Sequence, residues 1–295
     1  MSDPIIRCER LSKWYGNTHA LQHVDLELQP GVTLLVGENG AGKSTLLRIA
    51  ACLETRSRGS VRVLGLSTQW HPVAIRKRMG FVPQHPTFHD WMTVAECLRF
   101  HEEFREHWDR AYAERLREQL RLDSARPIGE LSTGKQARLA LILALAYRPK
   151  LVLLDEPLAS LDPSVREDVI ELLIEYRSET EANLLISTHQ IGQVDALVDH
   201  VAFLERGRLL FNVSRKAVQH SIRRLEITFE REAPTGFEVP GLLRLRESGQ
   251  RWLADVDHYS DELLTRLRQP GIRSIEAHSL DLEQSFIALA RRERS

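Results

Sequence analysis

The chain has 295 residues, of which 42% are hydrophobic and 27% are charged, and its formal net charge at pH 7 is -1. This length suits one large domain with an appendage, or two small domains. The near-zero charge argues against bulk attraction to nucleic acid or to an anionic membrane, so no nucleic-acid partner is expected.

Three sequence features indicate the redox compartment of the chain and whether it crosses a membrane. Cys8, Cys52 and Cys97 have neither disulfide nor metal-binding spacing, which is typical of a reducing compartment. The first ten residues, "MSDPIIRCER", are too polar for a signal peptide. The longest apolar run, residues 139–147, is far shorter than the roughly 20 residues of a membrane-spanning helix. We therefore expect a chain that does not cross a membrane by itself.

The first half of the chain alternates strand and helix patterns. "IIRCERLSKWYG" and "HVDLELQPG" are predicted strands on either side of a turn at Gly16 and Asn17. "VTLLVG" predicts a short buried strand, "KSTLLRIAACL" a helix and "GSVRVLG" another strand. Residues 92–126 have a helical, highly charged pattern. "ARLALILALAYRP" predicts an apolar helix closed by Pro149.

The alternation continues to about residue 214. "LVLLDEP" is continuously apolar, as central parallel strands are, and "SVREDVIELLIEYRSE" is an amphipathic helix. "NLLISTH" predicts a strand, and "HVAFLERGRLLFN" a hairpin with Gly207 at its turn. This rhythm predicts an α/β fold with a mostly parallel sheet that helices cover on both faces.

A different pattern follows over residues 215–295. "RRLEITFE", "GLLRLRE", "RWLADVD" and "IRSIEAH" predict strands, while "YSDELLTRLRQ" and "SLDLEQSFIALARRE" predict helices. We therefore predict a separate, small α+β lobe. Its role is open between a packing or dimer-stabilising lobe and a regulatory or ligand-sensing lobe, because its charges are balanced.

A glycine-rich segment, "GENGAGKS" at 37–44, lies between a predicted buried strand and a predicted helix. In this context glycines let backbone N–H groups face phosphate oxygens, and the helix N-terminus adds partial positive charge. Lys43 would reach the β- and γ-phosphates, and the Ser44 hydroxyl would bind Mg²⁺. This pattern predicts a phosphate-binding loop.

Polar residues follow three other predicted strands. Asp155 ends "LVLLD" and would hold Mg²⁺, while Glu156 is the candidate general base for an attacking water. His189 ends "NLLISTH" and would hydrogen-bond a γ-phosphate through one ring nitrogen while a neighbour holds the other. Gln84 follows a strand in "FVPQHP". Ligands of such sheets bind at the carboxyl ends of the strands.

A second glycine–lysine pair, in "GELSTGKQARLA", is predicted to be a decoy. Gln136 stands where a phosphate loop needs Ser or Thr, and no buried strand precedes Gly129. Instead Ser132 is a good helix N-cap with an apolar helix behind it.

In this order the motifs resemble those of one family. "GENGAGKST" resembles a Walker A loop, "LLDEP" a Walker B strand and "LSTGKQ" the signature sequence, usually LSGGQ. Gln84 matches the Q-loop glutamine and His189 the switch histidine. Asp162 in "ASLD" matches the D-loop, and Tyr15 matches the aromatic residue that stacks on adenine. Residues 1 to about 214 therefore resemble the nucleotide-binding subunit of an ABC transporter.

The resemblance implies a P-loop ABC ATPase cassette over residues 1–214. It would have a mostly parallel core sheet, an antiparallel N-terminal β-subdomain and a helical subdomain over about 85–148. The implied ATP-binding residues are Tyr15, Gly37, Glu38, Asn39, Gly40, Ala41, Gly42, Lys43, Ser44 and Thr45. The implied catalytic residues are Glu156, His189 and Gln84, and the implied Mg²⁺ ligands are Ser44, Gln84 and Asp155. The residues implied to reach the ATP of a second subunit are Ser132, Thr133, Gly134 and Lys135.

Two of those residues depart from the family pattern. Thr133 replaces a glycine, which would strain the backbone if that position needs a positive φ. Lys135 replaces a glutamine and adds a cation near a phosphate site. Because Ser132, Gly134 and Glu156 are retained, an active ATPase is expected.

The partners implied are a membrane permease subunit and a second ATPase subunit, identical or paralogous. The chain would then lie at the cytoplasmic face of the cell membrane. "SLDLEQSFIALARRE" is similar to the last segment of ATPase subunits of ABC-2 type exporters, so export is expected. Two alternatives stay open: a soluble ABC-family ATPase outside transport, and a weakly active regulatory cassette of a heterodimeric transporter.

Overall fold

The computed structural model describes residues 3–159, 161–189, 191–234 and 236–292. The chain divides into two compact units. The first comprises residues 1–190 with 196–212, and the second comprises residues 191–195 with 213–295. The domain and subdomain boundaries expected from the sequence stay predictions.

Strands and helices alternate along most of the first unit, and the element numbers run in chain order through both units. The strands are β1 (Ile6–Tyr15), β2 (Thr18–Leu28), β3 (Val32–Val36), β4 (Arg58–Val63), β5 (Leu66–Ser67), β6 (Met79–Val82), β7 (Leu151–Asp155), β8 (Asn183–Thr188), β9 (His200–Glu205), β10 (Arg208–Ser214), β11 (Arg223–Phe229), β12 (Leu242–Ser248), β13 (Arg251–Val256) and β14 (Ile272–Ser279). The helices are α1 (Lys43–Ala50), α2 (Pro72–Arg76), α3 (Val94–Glu103), α4 (Arg110–Gln119), α5 (Thr133–Leu145), α6 (Pro163–Thr180), α7 (Arg215–Ser221), α8 (Asp261–Leu267) and α9 (Leu282–Arg292).

Two sheets build the first unit. A four-stranded antiparallel sheet has the order β2-β1-β4-β5. A six-stranded sheet has the order β10-β9-β3-β8-β7-β6, and its strands from β9 to β6 run parallel. The predictions of an N-terminal antiparallel sheet and a mostly parallel core sheet are therefore confirmed.

The core of this unit lies between the sheets and helix α1. All five positions of β3 and of β7 are buried, as the continuous apolar runs predicted for central parallel strands. One hydrophobic cluster contains Leu11 of β1, Leu35 of β3, Leu47 of α1 and Leu153 of β7. This packing fixes α1 against the strands that carry the polar residues of the candidate site.

Local sequence signals set where the helices begin. Thr93 and Glu96 form a capping box at α3, with reciprocal bonds between each side chain and the other residue's backbone N–H. Asp109 caps α4 by accepting a hydrogen bond of 2.9 Å from the Tyr112 backbone N–H. Pro163 begins α6, where its missing N–H costs no hydrogen bond.

The second unit is built on a four-stranded antiparallel sheet with the order β12-β13-β11-β14. Alternate residues of β11, Leu225, Ile227 and Phe229, face a hydrophobic cluster that also holds residues of β13 and α8. On β11 and β13, Arg224 and Asp255 form a two-bond ion pair at 2.7 and 3.1 Å. The four strands and two helices predicted here are confirmed, whereas α7 was not predicted.

Candidate functional site

The predicted phosphate loop lies at the carboxyl edge of the six-stranded sheet. In the register of that sheet Val36 pairs with Thr188, and Asp155 pairs with Ser187. The glycine-rich segment 37–44 follows β3 directly and leads into α1. The loop, the acidic pair and the histidine after β8 therefore leave three neighbouring strands at one edge.

Gln84 belongs to the same edge on the next strand outward. Val82 of β6 pairs with Leu154, the residue before Asp155. Gln84 follows two residues later in an exposed position. The structure places Gln84 beside the acidic pair in strand order, and its catalytic and Mg²⁺-binding roles stay predictions.

Two glycines give the loop a shape that other residues would strain. Gly40 and Gly42 have positive φ angles of 81° and 105°, and Gly42 is the N-cap of α1. A Cβ atom on Gly42 would lie 2.5 Å from the Ala20 carbonyl oxygen of β2. Because no acidic side chain lies in the first turn of α1, its N-terminal N–H groups are suited to an anion.

Lys43 is buried and turns back over the loop. Its ammonium donates a hydrogen bond of 2.6 Å to the Gly37 carbonyl and one of 3.3 Å to the Glu38 carbonyl. It also lies 3.3 Å from Glu156 Oε1, an ion-pair distance. A buried ammonium held by loop carbonyls is placed to meet phosphate oxygens that enter the loop.

Ser44 and Asp155 are in direct contact. The Ser44 hydroxyl lies 3.1 Å from Asp155 Oδ1, and the Ser187 hydroxyl donates to the same oxygen at 2.7 Å. Asp155 Oδ2 is buried and has no hydrogen-bond partner within the described part of the chain. A hydroxyl beside a buried carboxylate with one unsatisfied oxygen fits a hard divalent cation that also binds phosphate oxygens, so the residues present fit Mg²⁺.

Ser187 was not predicted as part of the site. Besides holding Asp155, its hydroxyl accepts a hydrogen bond of 2.9 Å from the Glu156 backbone N–H. The signal available in the sequence was a serine directly after the apolar run "LLI" of a predicted strand, and the structure buries it fully. A buried polar residue is informative because burial is costly without hydrogen-bond partners.

Two neighbouring side chains, His189 and Lys43, lie against the Glu156 carboxylate. His189 Nδ1 lies 3.0 Å from Glu156 Oε2, so the predicted neighbour of the histidine ring is this carboxylate. Glu156 Oε1 is buried, faces Lys43 at ion-pair distance and has no aligned hydrogen bond within the described residues. Glu156 also has a positive φ of 49°, an uncommon conformation for a non-glycine residue that is often seen at functional sites.

Tyr15 lies at the end of β1, where it pairs with Thr18. Tyr15 is 43% exposed as a residue, and its hydroxyl donates to Glu54 Oε2 at 3.3 Å. Lys13 lies 4.8 Å from the ring centroid and donates to Glu54 Oε1 at 2.6 Å, which lowers the pKa of that carboxyl. An exposed, anchored ring is available for stacking, and the adenine-stacking role stays a prediction.

The second glycine–lysine pair lies in a different setting. A short 3₁₀ helix, Ile128–Glu130, precedes it, and no strand leads into it. Ser132 caps α5 by accepting a hydrogen bond of 3.4 Å from the Lys135 backbone N–H, as predicted. Thr133 begins α5 with helical rather than positive φ, so the expected backbone strain at this position is absent.

Asp162, the predicted D-loop residue, is the N-cap of α6, where its carbonyl accepts from the Val165 and Arg166 backbone N–H groups. Ser160 of the "ASLD" motif lies outside the described residues. The short loop 157–162 joins the Glu156 end of β7 to α6. Asp162 therefore lies seven residues after Asp155, the last residue of β7, and its D-loop role stays a prediction.

The chain is similar to several known proteins in sequence and in structure. An ABC transporter family model matches residues 21–159. The ABC transporter ATP-binding protein YtrB of Bacillus subtilis is 25% identical over 285 residues, which cover 96% of this chain and 97% of that protein. The uncharacterized amino-acid ABC transporter ATP-binding protein YhdZ of Escherichia coli is 30% identical, with 71% of this chain and 86% of that protein covered.

Two further matches cover part of the chain. The sulfate/thiosulfate import ATP-binding protein CysA of Mesostigma viride is 32% identical over 210 residues, covering 69% of this chain. The chain spans about 60% of that relative's own length. The solved structure of cbiO1 from Clostridium perfringens, part of the ABC transporter complex cbiONQ, has a TM-score of 0.63 and 27% identity. That match covers 74% of this chain and 91% of the other.

Proposed function

The chain belongs to the ABC transporter family as an ATP-binding and ATP-hydrolysing subunit, and we propose that it works as a head-to-tail dimer. Each ATP would lie between the phosphate loop of one subunit and residues 132–135 of the other. The second subunit is another copy of this chain or a paralogue. Supporting this arrangement, Ser132 caps an exposed helix start whose N–H groups are suited to a γ-phosphate.

The phosphate loop 37–44 would bind the triphosphate through its backbone N–H groups. Lys43 would exchange its bonds to the loop carbonyls for bonds to the β- and γ-phosphate oxygens. Ser44 and Asp155 would hold Mg²⁺, which supplies charge neutralisation at the β- and γ-phosphates. Ser187 would keep Asp155 oriented, because its hydroxyl donates to the same carboxylate.

Glu156 would act as the general base, and one observation carries this assignment. The carboxylate lies buried at the carboxyl edge of the sheet, where His189 fixes one oxygen and the other has no aligned hydrogen bond within the described residues. Water attacks the γ-phosphorus, the bond to the β–γ bridging oxygen breaks, and the water proton passes to Glu156. ADP and inorganic phosphate are the products.

The membrane partner would dock beside the helical region. None of the described helices has both the length and the apolarity that crossing a bilayer requires. A groove of about 310 Å³ is lined by apolar residues, among them Leu53 and Phe88, together with the cationic side chains of Arg76 and Arg105. No acidic residue lies among the described residues that line it. We expect the docked segment to carry an apolar anchor and a carboxylate.

This groove reaches the nucleotide edge of the sheet through the Gln84 loop. Pro83 and Pro86, on either side of Gln84, both line it. Arg105 lies 4.1 Å from the Tyr147 ring centroid and donates to the Arg76 carbonyl at 3.1 Å, which fixes the cation in the wall. A partner in the groove would therefore press on the loop that carries Gln84. Through such a partner the chain would lie at the cytoplasmic face of the cell membrane.

Export is the proposed direction of transport, and the C-terminal segment "SLDLEQSFIALARRE" supports it. The import subunit CysA matches over 210 residues, so a cassette of this kind also serves importers. The match to YtrB extends over both units of the chain. Transport by vesicles that contain the chain and its membrane partner would decide the direction. In export, the substrate leaves the side of the membrane on which ATP is hydrolysed, whereas in import it arrives there.

Replacing Glu156 by Gln tests the proposed mechanism. The change keeps the size of the side chain and removes the base, so ATP turnover should fall at least about 100-fold while ATP binding persists. Glu167→Gln on the exposed surface of α6 is the matched control and should keep full turnover. Unchanged turnover in Glu156→Gln would overturn the general-base assignment.

The same assay separates the alternative functions. Purified wild-type chain should hydrolyse ATP, and a cognate membrane subunit should change the rate. A high rate that no membrane subunit affects would favour an ATPase outside transport. No hydrolysis alone or with a paralogue would favour a regulatory cassette.

A further inference from the structure

The short linker 146–150 joins the signature helix α5 to the Walker B strand β7. Residues at the start of α4 and on α6 donate hydrogen bonds to its backbone carbonyls. The Asp109 backbone N–H donates to the Ala146 carbonyl at 2.9 Å. The Tyr176 hydroxyl of α6 donates to the Pro149 carbonyl at 3.1 Å. The linker is thus tied to both α4 and α6, although it has no regular secondary structure of its own.

Arg148 is the centre of this attachment. Its φ angle is 49°, which directs the chain out of α5 and leaves the side chain between two acidic partners. Arg148 Nε lies 3.0 Å from Asp109 Oδ2, and Nη1 lies 3.4 Å from Glu179 Oε2. Its guanidinium carbon also lies 4.3 Å from the centroid of the Tyr112 ring. One planar group therefore contacts α4 and α6 at once.

Arg115 completes a closed set of contacts. Arg115 Nη2 lies 2.9 Å from Glu179 Oε1, and its guanidinium carbon lies 4.8 Å from the Tyr112 centroid. The Tyr112 ring is in turn stacked near Tyr176 of α6, with centroids 6.3 Å apart. We call this set the clasp, and its members are Asp109, Tyr112, Arg115, Arg148, Tyr176 and Glu179.

The charged part of the clasp is partly exposed, with side chains of Asp109, Arg148 and Glu179 between 35% and 37% exposed. Ion pairs at such exposure contribute little to folding stability. A guanidinium that binds two carboxylates and lies near a ring nevertheless fixes the direction of the groups around it. The clasp is therefore better suited to setting an angle than to holding the fold together.

The clasp lies at the far end of the helices that carry the proposed ATP contacts. Helix α5 begins at Ser132 with the signature residues, and α6 begins at Asp162 with the D-loop. A 13-residue helix is roughly 20 Å long, so a tilt of about 5° at the clasp moves its other end by about 1.7 Å. A misplacement of about 1 Å can lower a rate about 100-fold.

We propose that the clasp fixes the linker that follows α5 to α4 and α6, so that it sets the angle between α5 and α6 and positions residues 132–135 for the ATP of the second subunit. This inference depends on the head-to-tail dimer proposed above. Arg148 and Glu179 are positioning residues, since they act through the two helices and touch no nucleotide. No change is expected at the phosphate loop of the same subunit.

Glu179→Gln in the full-length chain tests the inference, because it keeps the side-chain size and removes the charge shared by Arg115 and Arg148. We expect kcat for ATP to fall about 10-fold, with ADP affinity of the isolated chain within about two-fold of wild type. Glu175→Gln, one turn earlier on α6, is the matched control. The Glu175 carboxylate accepts a hydrogen bond of 3.5 Å from Gln119 Nε2 and belongs to no contact of the clasp, so its replacement should leave kcat unchanged.

Arg148→Lys is the second variant and keeps the inference testable if Glu179→Gln folds poorly. Lysine retains the charge but lacks the planar fork, so kcat should again fall while ADP affinity and the urea midpoint stay near wild type. ATP-driven dimerisation, measured by light scattering in the Glu156→Gln background, should weaken with either clasp variant. Both variants with normal kcat, or a loss of kcat that tracks loss of ADP affinity and urea midpoint, would overturn the inference.

Glu156→Gln, assayed alongside, separates this inference from the proposed function. An active Glu156→Gln protein contradicts the proposed mechanism itself. An inactive Glu156→Gln protein together with fully active clasp variants contradicts only the clasp.

Discussion

Two segments of the chain contain the same Gly-Lys pair, and the structure gives them opposite settings. Gly42 and Lys43 lie between the buried strand β3 and helix α1, and the lysine is buried, with its ammonium on loop carbonyls. Gly134 and Lys135 lie in the first turn of α5 after a 3₁₀ helix, and the lysine is only half-buried. The dipeptide therefore has no fixed meaning, and the elements on either side decide its chemistry.

The two helix starts differ in the same way. Helix α1 begins at a glycine with φ 105° and has no side-chain cap, which leaves its N–H groups for a ligand. Helix α5 begins at Ser132, whose hydroxyl already accepts the Lys135 N–H. The first segment is built to enclose an anion, whereas the second can present only part of a site. The predictions below compare matched changes in the two segments.

The largest expected difference is between Lys43→Met and Lys135→Met. Lys43→Met removes the only buried ammonium seen among the described residues of the loop edge, so ATP hydrolysis should fall about 100- to 1000-fold. ATP affinity, measured by equilibrium dialysis, should fall as well. Lys135→Met should keep the ATP affinity of the isolated subunit, because its helix start would contact only the other subunit's nucleotide.

Equal loss of ATP affinity in the two methionine variants would break this comparison. Lys150→Met is a suitable control, since Lys150 is exposed in the linker before β7. Its hydrolysis and affinity should both match the unmodified chain.

The two serines of these segments should differ in their effect on Mg²⁺ dependence. Ser44→Ala removes the hydroxyl that contacts Asp155 Oδ1 at 3.1 Å, so the Mg²⁺ concentration for half-maximal ATPase should rise about 10- to 100-fold. Ser132→Ala removes only a helix cap and should leave the Mg²⁺ midpoint unchanged. A shared shift in a Mg²⁺ titration would show that Ser44 has no special place at the cation.

Most of the cassette could be predicted because its patterns are long and its central strands β3 and β7 are buried on both faces. The runs "VTLLV" and "LVLLD" each form strands buried at every position, as continuous apolar segments should. Helix α7 was not predicted, because its seven residues contain a single buried side chain, Val218, and so show no helical periodicity of apolar residues. Its clearest signal is the Ser214 cap, which accepts from the Ala217 N–H at 3.2 Å.

The sequence predicts only those site residues that lie at the end of a recognisable apolar strand. Asp155 ends β7, and Glu156 and His189 directly follow β7 and β8, so the parallel order of these strands brings the three residues together. The hydrogen bonds of Ser187 depend on register between β7 and β8, which single-sequence patterns do not give. The positive φ of Glu156 and the contacts of Arg148 likewise depend on tertiary packing.

The two helix starts should also differ in their tolerance of alanine and glycine. Gly42→Ala places a Cβ 2.5 Å from the Ala20 carbonyl oxygen at a positive φ, so it should cost at least about 2 kcal/mol of unfolding free energy. Ser132→Gly should cost only a few tenths of a kcal/mol, roughly the value for glycine at an N-cap. Urea unfolding followed by tryptophan fluorescence would compare the midpoints. Similar midpoints for the two variants would contradict the strained geometry of the loop.

The smallest expected effect belongs to Lys135→Gln, which restores the residue usual in the family. A cation in the first turn of α5 adds attraction to a phosphate of the second subunit but opposes the helix dipole. These effects are individually worth about 0.3–1 kcal/mol at an exposed position, so the ATPase rate should change by about two- to five-fold. We expect a decrease at low ionic strength that shrinks as salt screens the charge, measured as kcat between 50 and 500 mM NaCl, roughly 14 and 4 Å of Debye length. Lys150→Gln should show no such salt-dependent difference. An unchanged rate for Lys135→Gln at every salt concentration would mean that the lysine does not act on the nucleotide, and would leave the capped helix start as the only contribution of this segment.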